Sequence, residues 1–398
     1  MKPRIGFIVS HPIQYYAPLF RALAERCDLS VFFAHRQSPE QQAKAGYGVS
    51  FEWDVDLLSG FESRFLVNVA RRPNVSRFNG CDTPGIADEV ARGHFDGFVV
   101  PGWSLRSYWQ AARACRRHGV PVLVRGDSKL AGRRSAALLM AKALALPRIL
   151  RLFDGYLYVG RRHREYLEHY GVPADRLFFS PHCVDNDAFA AAAAKARRDA
   201  PSEGGAPVRR VLFVGRLIPE KRPDDVLRAV AGLGLPAVEV VFAGAGRLEP
   251  ALRQAAREAG VQARFLGFVN QAALPAAYAS AAVLVLPSSE VETWGLVVNE
   301  AMACGVPAVV SDVVGCAPDL VDAGRTGEVF PMGNVEALSQ AIARILSVEP
   351  ITLRRHLAAK MEIYSPARAA AGIVDAVPAL TSVMRRARPP AMASGSVG

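Results

Sequence analysis

The chain has 398 residues, of which 51% are hydrophobic, 21% charged and 8% aromatic. That balance excludes a disordered chain, a collagen and a coiled coil, and at roughly 150 residues per domain the length predicts two or three domains. The formal charge is +11, and the stretch Arg106 to Glu168 alone holds 14 Lys and Arg against 4 Asp and Glu. Such a patch attracts polyanions, anionic lipid headgroups or phosphorylated substrates, unless it is simply a solvated basic face. No zinc-finger spacing, aromatic RNA-binding motif or long arginine-rich tail is present, so nucleic acid is not an expected partner.

The opening MKPRIGFIVSHP reads as a first strand. Its apolar part is too short for a leader and lacks a small-residue cleavage pattern. No apolar run approaches 18 residues, so no membrane span is expected. The expected location is the cytoplasm, with docking to the inner face of the plasma membrane as an option. In chain order, short β-branched runs occupy Arg4–Val9, Leu29–Ala34, Asp96–Val100, Val120–Arg125, Gly155–Val159 and Leu177–Ser180. A second set occupies Arg210–Val214, Val238–Ala243, Ala263–Phe268, Ala282–Leu286, Pro307–Ser311 and Gly327–Phe330. Helical patterns separate them, which predicts an α/β chain of two doubly wound parallel sheets facing across a cleft. Continuous apolar runs such as VLFVG and VLVLP suit strands covered on both faces.

The expected layout is a first domain over 1–187, a linker over 188–207 whose Ala-rich start suits a helix and whose end is Pro, Ser and Gly-rich, and a second domain over 208–365. A helix over 366–386 is expected to return to the first domain, ahead of a disordered tail over 387–398. The six cysteines show no CxxC or CxxH pairing and read as buried reduced thiols.

Ligands in open α/β sheets bind beyond the carboxyl ends of the strands. After the strand RRVLFV come Gly215, Arg216 and Lys221, a glycine that lets backbone approach a ligand and two cations suited to a diphosphate. Further on, AVLVLP leads through Glu292, Thr293, Trp294 and Gly295 into a helix beginning near Thr293 or Gly295. A helix start is an anion site. Glu292 and Glu300, eight positions apart, are expected on roughly one face, where carboxylates suit sugar hydroxyls and repel phosphates.

These segments resemble the nucleotide-sugar domain of GT-B glycosyltransferases, specifically retaining glycosyltransferase family 4. The resemblance runs from Arg210 to Leu346 through FVGRLIPEKRPDDVLRA, FAGAGRLEP, FLGFVNQAALPAAYASAAVLVLPSSEVETWGLVVNEAMACGVPAVVSD and GRTGEVF. The loop SPHCVDNDAF is similar to the family's Asn-Gly-Val-Asp loop, with His182 and Cys183 in place of Asn and Gly. The resemblance implies that Arg216 and Lys221 hold the donor diphosphate, Glu292 meets the transferred sugar and Glu300 the ribose. It also implies that Gly295, Leu296 and Val297 contact phosphate and sugar through their backbone, and that Phe268 and Val269 face the base.

The first half is less specific. It resembles a bacterial subgroup reading His-Pro-Ile-Gln-Tyr (His11 to Tyr15), with Trp53-Asp54-Val55 and Arg125 to Ser128. His11 is a candidate for touching donor phosphate or acceptor hydroxyl, with helix capping as the alternative. Asp127 is expected either to orient an acceptor hydroxyl or to pair with Arg125. The pairs Asp54/Asp56 and Asp185/Asp187 follow no strand in a metal-binding context, so neither a metal nor a bound cofactor is expected. Ser135–Arg151, SAALLMAKALALPRILR, suits either a membrane surface or the core.

The combined expectation is a retaining hexosyltransferase that moves sugar from a nucleotide diphosphate donor to a glycan or lipid-linked hydroxyl, in cell-surface polysaccharide or glycolipid synthesis. A nucleotide-sugar epimerase of the same architecture and a non-catalytic, membrane-associated sugar-nucleotide-binding protein are the alternatives.

Overall fold

Apolar runs bounded by Gly, Pro and Asp become fully buried strands when helices cover both faces. In a computed structural model, which describes residues 2–43, 49–130, 136–200, 208–235 and 237–387, they form two sheets. The first comprises β1 (Arg4–Val9), β2 (Asp28–Phe33), β3 (Glu62–Phe65), β4 (Gly97–Val100), β5 (Val122–Gly126), β6 (Gly155–Tyr158) and β7 (Leu177–Phe179). Its order is β3-β2-β1-β4-β5-β6-β7, parallel throughout. The second comprises β8 (Arg209–Val214), β9 (Val238–Ala243), β10 (Gln262–Gly267), β11 (Val283–Leu286), β12 (Ala308–Ser311) and β13 (Gly327–Phe330). It too is parallel, ordered β10-β9-β8-β11-β12-β13. In both, the order reverses beside the first strand of the lobe, and the ends of those strands open onto one cleft.

Twelve of these strands coincide, within two residues at each end, with the runs read from the sequence. β3 does not: ESRF alternates exposed and half-buried positions at the sheet edge and carries no apolar run. The Ala-rich segment after β7 is a helix, Asn186–Asp199, capped by Asp185, whose side chain accepts from the Ala188 amide. Its buried Phe189 and Ala193 belong to the core beneath the second sheet, so this stretch docks on the second lobe instead of spanning open solvent. The Pro/Gly-rich end of the expected linker, 201–207, lies outside the described residues, as do 388–398 of the expected tail.

The chain ends by returning. The helix Pro366–Ala387 buries Ala369, Ala370, Ile373, Ala376, Val377 and Leu380 in the same cluster as Ile5, Phe7, Leu123 and Leu157 of the first sheet. Gly372 is needed there: a Cβ at that position would sit 1.8 Å from the Phe179 carbonyl oxygen. All six cysteines are buried and free. No helix among the described residues is long and apolar enough to cross a membrane.

Candidate functional site

The cleft between the lobes has a volume of about 700 Å³. From the second lobe it is lined by the residues just past β8, β9 and β10 and by the loop after β11. Gly215, with φ +146°, turns the chain at the end of β8 and leaves Arg216 exposed on the cleft. No hydrogen-bond or ion-pair partner for the Arg216 guanidinium occurs among the described residues. Lys221 follows in a single turn, Pro219–Lys221, and its ammonium is ion-paired with the Glu292 carboxylate. The Ser288 hydroxyl donates to the same Glu292 oxygen at 3.2 Å.

The two glutamates do not share a helical face. Glu292 sits in a turn, its amide donating to the Ser289 carbonyl at 3.1 Å, whereas the helix begins only at Leu296 and runs to Ala303. The turn ends on Gly295, whose φ of +102° an L side chain rarely adopts. An added Cβ there would also meet Leu286 at 2.8 Å. Leu296 and Val297 therefore open the helix at the cleft wall, where the first amides of a helix have no partner within it. Glu300, in the second turn, is buried at 7% exposure. It accepts the Tyr278 hydroxyl at 2.7 Å and the Gln271 amide at 3.5 Å. Burial pushes its pKa from 4.5 to about 7, against those two hydrogen bonds.

Phe268 and Val269 line the far end of the cleft. A first-lobe segment covers that end: the Phe51 ring lies 4.4 Å from Phe268, Asn270 donates to the Glu52 carbonyl at 2.7 Å, and Asp54 accepts the Ala272 amide at 3.0 Å. Trp294 is buried and structural in its polar contact, its ring N–H donating to Asn299 at 2.8 Å.

From the first lobe, Asp127 reaches the cleft just beyond β5. It accepts the Thr293 hydroxyl at 2.7 Å, and the His182 ring stands 3.8 Å away. Burial would raise its pKa, yet these neighbours hold the carboxyl well below the usual carboxylate range. The alternative partner, Arg125, is engaged elsewhere: it is buried and donates to the Pro181 carbonyl at 2.7 Å and to the Ser180 carbonyl at 3.3 Å. His11 is not among the residues lining the cleft. Its Nδ1 pairs with the Ser10 hydroxyl at 2.9 Å, and burial, followed by nearby His35, lowers it to about 4. The structure thus brings together Gly215, Arg216, Lys221, Phe268, Val269, Glu292, Thr293, Trp294, Gly295, Leu296, Val297, Glu300 and Asp127, and leaves His11 apart.

The cleft also contains groups the sequence reading passed over. His182, packed 5.4 Å from Trp294 and 6.1 Å from Tyr15, was flagged only as a departure in a loop. Gln271 carries no motif of its own. Among the described residues no group of three His, Cys, Asp or Glu is placed to hold a metal. Of the acidic pairs, Asp54 accepts the Ala272 amide, Asp56 the Leu58 and Ser59 amides, and Asp185 caps its helix while pairing with Arg21 at 3.3 Å.

A two-lobed parallel α/β protein whose inter-lobe cleft presents, among the described residues, an unpaired guanidinium, a lysine–glutamate pair, a helix start and a buried carboxyl is equipped for an anionic, hydroxyl-rich ligand. Residues 195–363, which make up most of the second lobe, match the family described as Glycosyl transferases group 1. The chain is 33% identical over 223 residues to a GDP-mannose-dependent alpha-(1-6)-phosphatidylinositol monomannoside mannosyltransferase of Mycolicibacterium smegmatis, covering 53% of this chain and 58% of that one. It is 40% identical over 159 residues to a D-inositol 3-phosphate glycosyltransferase of Mycobacterium bovis, covering 38% of this chain and 32% of that one. It therefore spans between about a third and three fifths of these curated relatives. Among solved structures, Anabaena Alr3699/HepE in complex with UDP superposes with a TM-score of 0.69 at 16% identity over 94% of this chain and 99% of that one. The lipopolysaccharide outer core galactosyltransferase WaaB does so with a TM-score of 0.65 at 16% identity, over 94% and 98%. These likenesses extend the GT-B fold to the whole chain.

Proposed function

We propose that this chain is a retaining glycosyltransferase that moves a hexose from a nucleotide diphosphate sugar to a hydroxyl of a glycan or lipid-linked acceptor. The observation that carries the reading is the convergence of Arg216, Lys221, Glu292, Glu300 and the Leu296 helix start on one cleft. In it the diphosphate meets the Arg216 fork, the Lys221 ammonium and the first amides of the helix, which together stabilise charge on the leaving group without a metal. Glu292, already paired with Lys221, accepts hydroxyls of the transferred sugar, and Glu300 accepts those of the ribose. The base lies toward Phe268 and Val269. Asp127 approaches from the other lobe and orients the acceptor hydroxyl, while the departing diphosphate oxygen takes its proton. The Phe51–Phe268 contact and the Asn270 and Asp54 hydrogen bonds draw the lobes over the donor, excluding the water that would hydrolyse it. The relatives named as a phosphatidylinositol monomannoside mannosyltransferase and as a D-inositol 3-phosphate glycosyltransferase support a lipid-linked or polyol acceptor and synthesis at the cell surface.

An anionic membrane surface belongs to the same reading. The helix Ala136–Leu150 exposes Met140 and Leu144, one turn apart, with Arg148 on the same side. Arg116 donates to the Arg151 carbonyl at 3.2 Å, which brings the basic end of the helix Arg106–Arg117 beside it. Residues 131–135 of the basic stretch lie outside the described residues.

The test is a panel of nucleotide sugars screened for transfer and for a rise in melting temperature, since a bound donor stabilises by mass action. Lys221→Ala and Glu292→Ala should each lower transfer by orders of magnitude with folding retained. Wild-type turnover by Lys221→Ala overturns the diphosphate assignment, and an epimerised sugar formed from donor alone makes the chain an epimerase.

A further inference from the structure

The loop leaving β5 does more than deliver Asp127. Two residues on, Lys129 crosses from the first lobe to the second. Its ammonium donates to the Glu292 main-chain carbonyl at 2.7 Å and also to the Val313 carbonyl. Those two carbonyls belong to different loops, one after β11 and one after β12, that are already stitched together by the Gly315 amide on Glu292 O at 3.3 Å and the Cys316 amide on Trp294 O at 3.0 Å. Arg162, also of the first lobe, donates to the Val313 carbonyl at 3.0 Å and to that of Asp312. Glu292 is therefore held twice, by its side chain through Lys221 of its own lobe and by its main chain through Lys129 of the other. An ammonium has three donors and no acceptor, so it can bridge carbonyls of two loops where an apolar side chain of similar length would bond to neither.

We propose that Lys129 is a positioning residue: it fixes the Glu292–Thr293–Trp294 turn against the first lobe, so that the carboxylate reading the transferred sugar is set only when the two lobes are together. This rests on the assignment of Glu292 to the sugar. Arg216 and Glu300 make no hydrogen bond to Lys129, so recognition of the nucleotide and recognition of the sugar are separable by one substitution outside the cleft lining.

The experiment compares full-length wild type, Lys129→Met and Lys129→Arg. Hydrogen exchange of the segment 289–297 is measured first, with the helix Pro223–Ala231 as internal control. Lys129→Met should speed exchange in 289–297 at least tenfold and leave the control unchanged. Affinity for UDP and GDP should stay within about twofold of wild type, while kcat for transfer falls at least tenfold and Lys129→Arg restores part of it. Unchanged exchange in 289–297, or an equal loss of nucleoside diphosphate affinity, overturns the proposal. Faster exchange in a protein that shows no transfer with any nucleotide sugar leaves Lys129 as the clamp on this turn and refutes the function assigned to the cleft instead.

Discussion

Glu300 is a carboxyl placed where its charge is costly. In an unfolded chain it titrates near 4.5, and in the fold near 7, because burial outweighs the hydrogen bonds from Tyr278 and Gln271. The folded state therefore holds a proton that the unfolded state has lost between those two values. Its contribution to stability is fully present below pH 4.5 and is lost as the pH rises through 7. At about 1.4 kcal/mol per pKa unit, the loss amounts to about 3 kcal/mol at pH 8. Glu300→Gln removes the titration while keeping an oxygen for Gln271 and a group that Tyr278 can pair with. Urea unfolding across pH 4 to 9 should show the two proteins nearly equal at the acid end and the variant more stable by about 3 kcal/mol at the alkaline end. The same variant should bind UDP and GDP more weakly, because an ionised carboxylate accepts ribose hydroxyls better than an amide does. A stability difference that does not vary with pH would refute the argument that burial controls this carboxyl.

Gly372→Ala places a methyl against the Phe179 backbone, which cannot move aside as a side chain could. It should lower unfolding free energy by about 2 kcal/mol or more, read as a shifted urea midpoint, and an unchanged midpoint would show that the helix is not seated as described. Met140→Glu with Leu144→Glu should abolish co-sedimentation with vesicles rich in phosphatidylglycerol while leaving transfer to a soluble acceptor intact. Equal binding of wild type to phosphatidylcholine vesicles, or none to either, would remove the membrane from the proposed function.

The sheets were legible because parallel strands buried on both faces must be written in nearly unbroken Val, Ile, Leu and Phe, as VLFV of β8 and VLVL of β11 are. β3 was not, because an edge strand with half its face in solvent has no reason to avoid charge, and ESRF carries two. The second-lobe wall of the cleft was legible because its residues are local in sequence, with Arg216 and Lys221 in one loop and Glu292 through Glu300 in another. Contacts made across the lobes left no such trace. Nothing in the spacing of Lys129 and Val313, or of Asp127 and Thr293, announces that they meet. His11 misled for the opposite reason: it directly follows a strand end, the right address, yet its ring turns to Ser10.

The returning helix Pro366–Ala387 has a consequence for how this molecule is made. Ile5 and Phe7 leave the ribosome ahead of the whole second lobe, whereas Ile373 and Leu380, which cover their cluster, emerge only after it. The first lobe begun is thus the last completed, and its nascent apolar surface stays uncovered through the whole translation of the second. Completion of the first lobe therefore waits on translation of the second, and a stop codon just before Pro366 would release a chain whose second lobe is whole and whose first is open to aggregation.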